Sequence, residues 1–228
     1  MINTRFICRQ RERMATRILL LTLMLVLPLS ACGHAGESID GQVLEYGTRA
    51  PIAGAIVVAR WNATWHTPWQ SSTLCGHVET ATTDANGRYH IPGWIVPPKG
   101  FNVTMGGKAE YLDVYKTGYE YYWWPAYFNS PDDKQHVLFV KPFTGTREEL
   151  FKSIRISGVN CQMAGESRRS LIPLYQNIYE RLNALAITKE EKFTANAFLN
   201  EIDSITLPDE EATRRDLERR RKIRYENN

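Results

Sequence analysis

Thr80-Ala81-Thr82-Thr83-Asp84-Ala85-Asn86-Gly87-Arg88-Tyr89-His90-Ile91 is the stretch that decides what kind of fold this chain takes. β-Branched residues run into Asp-Ala-Asn-Gly, and Tyr89 and Ile91 alternate beyond it. Asn86-Gly87 tolerates positive φ, and the Asp84 carboxylate can accept hydrogen bonds from the turn backbone. The pattern predicts two strands joined as a hairpin by a tight turn.

Upstream, Ile39, Gly41 and Val43 alternate on one face, and residues 55–59 read as a further strand. Pro51 fixes φ ahead of that strand, and Gly54 accepts an unusual dihedral. Downstream, strands are expected at 111–116 and 136–140. Several short strands separated by turn residues predict a β-sandwich over residues 38–142.

From about Thr146 the pattern changes. Leu171, Leu174, Ile178, Leu182 and Leu185 recur at helical spacing. Thr188-Lys189-Glu190-Glu191 fits a capping box opening a second helix, with Phe193, Ala197, Ile202 and Ile205 expected on its inner face. Pro208 stops it, and Asp209 can cap a last, highly charged segment. Residues 146–228 therefore read as a helical C-terminal segment on a mainly β protein. The basic run within that last segment, 214–222, is interleaved with acid and reads as a solvated helix end, with contact to anionic lipid as the sharper alternative.

The N-terminal residues 1–31 read as a lipoprotein signal peptide. An Arg-rich start precedes the apolar run 18–27, which is shorter than the roughly 20 residues a spanning helix needs. Either Met1 or Met14 can initiate it. The run ends in Leu29-Ser30-Ala31-Cys32, an aliphatic residue and two small ones before a cysteine. This resembles a lipobox, which implies that Cys32 becomes the acylated N-terminal residue, with 32–37 as a tether. Gly33 after that cysteine implies delivery to the outer membrane, facing the periplasm. Without residues 1–31 the formal charge of +3 falls to −1, which removes any bulk-charge case for nucleic-acid binding.

Cys75 and Cys161 remain, and an oxidising compartment favours a disulfide between them. The alternative is a metal site with His77. No Cys-x-x-Cys or His-x-x-x-His pattern supplies the three or four ligands it would need. No metal or cofactor is expected.

Ile39-Asp40-Gly41-Gln42-Val43, then Ala50-Pro51-Ile52-Ala53-Gly54-Ala55-Ile56-Val57, then Thr82 to Tyr89 together resemble the carboxypeptidase regulatory-like family. The match covers roughly residues 38–116, and the region after Tyr119 departs from the pattern. The resemblance implies a transthyretin-like (prealbumin-like) sandwich that accompanies catalytic domains and does no chemistry itself. The zinc-binding His-x-x-Glu pattern of those catalytic domains is absent, as is the Tyr-Arg-Gly-Ser ending of the hydroxyisourate-hydrolysing relatives.

The histidines His34, His66, His77, His90 and His136 show no ligand spacing. Asp84 with Asn86 lacks the further ligands of a calcium loop, and no Gly-x-Ser-x-Gly elbow or phosphate-binding glycine loop occurs. Aromatic residues are the remaining candidates. Trp61, Trp65 and Trp69 recur every four residues, and Tyr119, Tyr121, Tyr122, Trp123, Trp124, Tyr127 and Phe128 form a denser group. Such rings either bind glycan or protein or seal the sandwich against the helices.

The sequence thus predicts a lipid-anchored, non-catalytic envelope protein for binding or scaffolding. Trp61, Trp65, Trp69, Trp123 and Trp124 are its candidate ligand-binding residues. A glycan- or peptidoglycan-binding module is the alternative. An unrecognised hydrolase would need a pocket gathering His66, His77 or His90 with acidic residues.

Overall fold

The computed structural model describes residues 34–95, 102–106, 109, 111–125, 136–154 and 161–225. The expected signal peptide and Cys32 lie outside the described residues. Strands come first: β1 (His34–Gly36), β2 (Ile39–Glu45), β3 (Ile56–His66), β4 (Ser71–Thr82), β5 (Arg88–Ile91), β6 (Trp94–Ile95), β7 (Val103–Met105), β8 (Tyr111–Tyr115), β9 (Tyr122–Pro125) and β10 (His136–Val140). Helices follow: α1 (Arg147–Ser153), a 3-10 segment (Gln162–Leu171), α2 (Ile172–Leu185), α3 (Lys189–Thr206) and α4 (Asp209–Tyr225). The protein is sheet-rich with a helical C-terminal part.

One sheet has the order β10-β2-β5, with β10 parallel and β5 antiparallel to β2. A larger antiparallel sheet has the order β4-β3-β8-β9, and β7 pairs with the distal half of β3. Ile56-Val57-Val58-Ala59 in β3 shows no polar alternation because both of its faces are buried. Val57, Ala59 and Trp61 join Val43, Tyr89, Ile91, Leu112 and Leu138 in a cluster drawn from both sheets. Ile56 and Val58 join Leu171, Leu174, Ile178, Leu182 and Phe198 in a second cluster, against the helices. The larger sheet therefore separates two cores.

The turn at Asp84 forms as its sequence predicts, but it does not close a hairpin. Asp84 Oδ1 accepts from the backbone N–H of Asn86 and of Arg88, each at 2.8 Å, and Gly87 takes φ 71°. The strands it joins belong to different sheets: β4 pairs with β3, and β5 pairs with β2. The reason is burial. Tyr89 and Ile91 are 4% and 0% exposed, and they reach the two-sheet core only from β2's edge.

Residues 34–36, expected to be part of a tether, form β1, which pairs with β6. Gly36 is required there, since a Cβ at that position would collide with the Trp94 indole.

Thr146 and Thr188 each cap a helix through a full capping box, with Glu149 and Glu191 as the reciprocal partners. The helical stripe holds from Leu171 to Leu182, whereas Leu185 is 40% exposed. On α3 the buried apolar positions are Ala195 and Phe198, and the expected inner residue Phe193 is 37% exposed. Ile202 and Ile205 pack against the same core, as the pattern predicts, and Phe198 lies at an angle to Tyr175 of α2, ring centroids 6.1 Å apart.

β4 is an edge strand of the larger sheet, and the 3-10 segment covers half of it. The Val78 N–H donates to Ser167 Oγ at 3.2 Å, and the Ser170 hydroxyl reaches the Val78 carbonyl at 3.1 Å. The disulfide Cys75–Cys161, with Cα atoms 5.0 Å apart, ties the two elements together. Two serines and a crosslink thus occupy the place of a neighbouring strand.

Candidate functional site

Beyond Cys75 the strands β3 and β4 continue as an arm. The register places Trp65 opposite Ser72 and Ala63 opposite Leu74, so Trp65, Ala63, Ser72 and Leu74 share one face. A bulge at Gly76 sets this register, because Trp61 faces His77 while Asn62 faces Cys75. At the tip, Thr67 Oγ1 donates to the Gln70 carbonyl at 2.7 Å and accepts from the Gln70 N–H at 3.0 Å. Trp69 sits in that tip and is 92% exposed. Trp65 and Leu74 are about half exposed, so three large apolar side chains lie open on one short element.

The opposite face of the arm is polar and bonded to itself. Thr64 and Thr73 hydroxyls meet at 3.2 Å, and His66 bonds Ser71 Oγ and Thr104 Oγ1, each at 3.0 Å. His66 is therefore engaged in positioning the arm.

The structure divides the candidate aromatic residues. Trp61 has no exposed surface and belongs to the core, so its expected role in ligand binding is corrected. The four-residue spacing put Trp61 and Trp65 on the same strand face, and only the position along β3 separates a buried ring from an open one. Trp123 and Trp124 lie on β9 opposite Asp113 and Leu112, and their side chains lie outside the described residues. Tyr127 and Phe128 also lie outside them. Tyr119 donates to Glu45 Oε2 at 2.9 Å, and Tyr121 packs against the helical core. The sequence reading missed Leu74, whose exposure depends on the arm projecting past the sheet.

The histidines do not converge. His77 stacks on Trp94 with ring centroids 3.6 Å apart and pairs with Glu79 at 3.1 Å. His90 pairs with Asp40 at 2.8 Å on the other sheet. Among the described residues no group of three or more His, Cys, Asp and Glu could hold a metal ion.

A buried polar group lies on the helix-facing side of the larger sheet. Arg60 Nη2 is 2.8 Å from Asp113 Oδ2, and its guanidinium also lies 5.3 Å from the Tyr111 ring centroid. Burial pushes the Asp113 carboxyl up to about 7, against the lowering effect of Arg60. Burial and the nearby Asp113 likewise push the Tyr121 phenol up. A cleft of about 300 Å³ lies between the 3-10 segment and α3, lined by Arg168, Arg169 and Ser204. The Arg60–Asp113 pair is part of the packing between sheet and helices.

No family model and no curated protein matches the chain. Among solved structures, a 9R-lipoxygenase from Cyanothece PCC8801 aligns at 15% identity with a TM-score of 0.25. The alignment covers 72% of this chain and 24% of the lipoxygenase, and at that TM-score it bears on neither fold nor function.

Proposed function

We propose that this chain is a lipid-anchored, non-catalytic binding and scaffolding protein of the bacterial cell envelope. In this reading Cys32 carries the anchor at the outer membrane and the body faces the periplasm. The β part is a transthyretin-like sandwich of the carboxypeptidase regulatory-like kind. What supports the sandwich is the core cluster shared by the two sheets, together with the Asp84 turn that crosses between them. What supports the anchor is the sequence from Leu29 to Cys32 after an apolar run.

One observation carries the binding reading: Trp69 stands almost fully in solvent at the tip of an arm that also exposes Trp65 and Leu74. Exposed tryptophan is costly to leave in water and is enriched where surfaces meet. The test compares the wild type with a Trp65→Ala/Trp69→Ala variant in capture from solubilised envelope, alongside fatty-acid labelling of Cys32→Ser. Envelope components retained by the wild type and lost by the double variant are expected, with label absent from Cys32→Ser. Equal capture by both proteins removes the arm from the reading, and label persisting without the thiol removes the anchor. Glycan binding is the second reading, favoured by the exposed Gln70 amide beside Trp69; retention on peptidoglycan would mark it.

A further inference from the structure

We infer that the β3–β4 arm docks on a lipid bilayer, seating Trp65, Trp69 and Leu74 at the boundary between headgroups and acyl chains. The inference rests on the reading of the arm as a contact element and names what it contacts.

Charge is the first reason. From Trp61 to Val78 the sequence contains no Asp, Glu, Lys or Arg, in a chain that is 23% charged. A surface meant for water or for a charged partner does not usually stay uncharged over both strands and the tip of a projecting element. An interface with lipid tails favours that composition, because a charged side chain there is expensive to desolvate. Tryptophan is the residue type enriched at this depth, with an apolar body and one N–H to leave among the headgroups.

Hydrogen bonding is the second reason. Moving a polar group out of water costs little when it is already paired. On the arm, Thr64 pairs with Thr73, His66 with Ser71 and Thr104, and Thr67 with Gln70. The side chains of Thr64, His66, Thr67, Ser71 and Thr73 are therefore bonded within the arm, and the Gln70 amide at the tip is left to meet water or headgroups.

The backbone sets the depth. The His66 N–H donates to the Asn102 carbonyl and the Asn62 carbonyl accepts from the Gly106 N–H, so these alternate residues of β3 turn toward β7. Ala63 and Trp65 then turn toward β4, and the matching outward residues of β4 are Ser71 and Thr73. Their backbone groups face away from the sheet and need water or headgroup partners. The arm can reach the headgroup boundary, and its open edge keeps it from going deeper.

The test uses the full chain reconstituted in phosphatidylcholine–phosphatidylglycerol vesicles whose lipids are brominated near the top of the acyl chains. Tryptophan fluorescence is read in the wild type and in Trp65→Phe/Trp69→Phe. The conservative replacement at exposed positions preserves the fold, which the circular dichroism of both proteins checks. Quenching by brominated lipid in the wild type, lost in the double variant, is the expected result. Quenching that is absent, or equal in the two proteins, overturns the bilayer contact. If the Trp65→Ala/Trp69→Ala protein still loses its envelope capture in that event, the arm binds protein or glycan and only the lipid assignment falls. If capture is also unchanged, both readings fall.

Discussion

Arg60 Nη2 and Asp113 Oδ2 meet at 2.8 Å on neighbouring strands, with the aspartate side chain fully withdrawn from solvent. Burial outweighs the pairing and pushes the Asp113 carboxyl up to about 7. An unfolded aspartate titrates near 4, so the folded state holds the proton more tightly. The stabilisation that follows is complete below the unfolded value and is lost as pH rises toward 7. Denaturant midpoints measured from about pH 4 to pH 8 should fall more steeply for the wild type than for Asp113→Asn. Parallel curves would show that Asp113 is charged throughout.

The Cys75–Cys161 crosslink spans 86 residues of sequence and joins the edge of the larger sheet to the 3-10 segment. Loop closure of that length in the unfolded chain corresponds to about 4.6 kcal/mol in the chain-entropy model. Cys75→Ser/Cys161→Ser should lower the urea midpoint accordingly, and treatment of the wild type with reductant should reproduce the shift.

Ser167 and Ser170 answer the Val78 N–H and carbonyl where a strand would otherwise do so. Ser167→Ala/Ser170→Ala leaves both groups unpaired, at about 1–3 kcal/mol for each. Faster amide exchange at Val78, with exchange at Val57 little changed, is the measurement. Uniform loss of protection would mean that the edge and the core open together.

Trp61 and Trp69 have the same side chain and opposite burial, 0% against 92% exposed. Trp61→Ala should cost about 3–5 kcal/mol by opening a core cavity. Trp69→Ala should change stability by no more than about 0.5 kcal/mol. Equal thermal shifts in the two variants would contradict the placement of the arm tip in solvent.

Local chemistry was legible without coordinates wherever a few adjacent residues settle the outcome. The Asp84–Gly87 turn, the capping box at Thr188, and the strand at His136–Val140 depend on nearby backbone groups, and their residue types specify them. The stripe from Leu171 to Leu182 was likewise readable, since helical periodicity alone assigns its buried face.

Periodicity could not say which strand lies beside which. Tyr89 and Ile91 alternate equally well as a partner for β4 or for β2, and the two-sheet core selects β2. Nor could spacing separate Trp61 from Trp65: both lie on one face of β3, and the sheet covers the first and ends before the second. Arg60 and Asp113 are 53 residues apart in sequence, and strand pairing alone makes them neighbours. The sequence determined the turns, caps and helix faces because short-range hydrogen bonds and side-chain periodicity act within a few residues. Strand order, the covered edge and the exposed tryptophans were decided by the tertiary structure, because burial is a property of what packs across the chain.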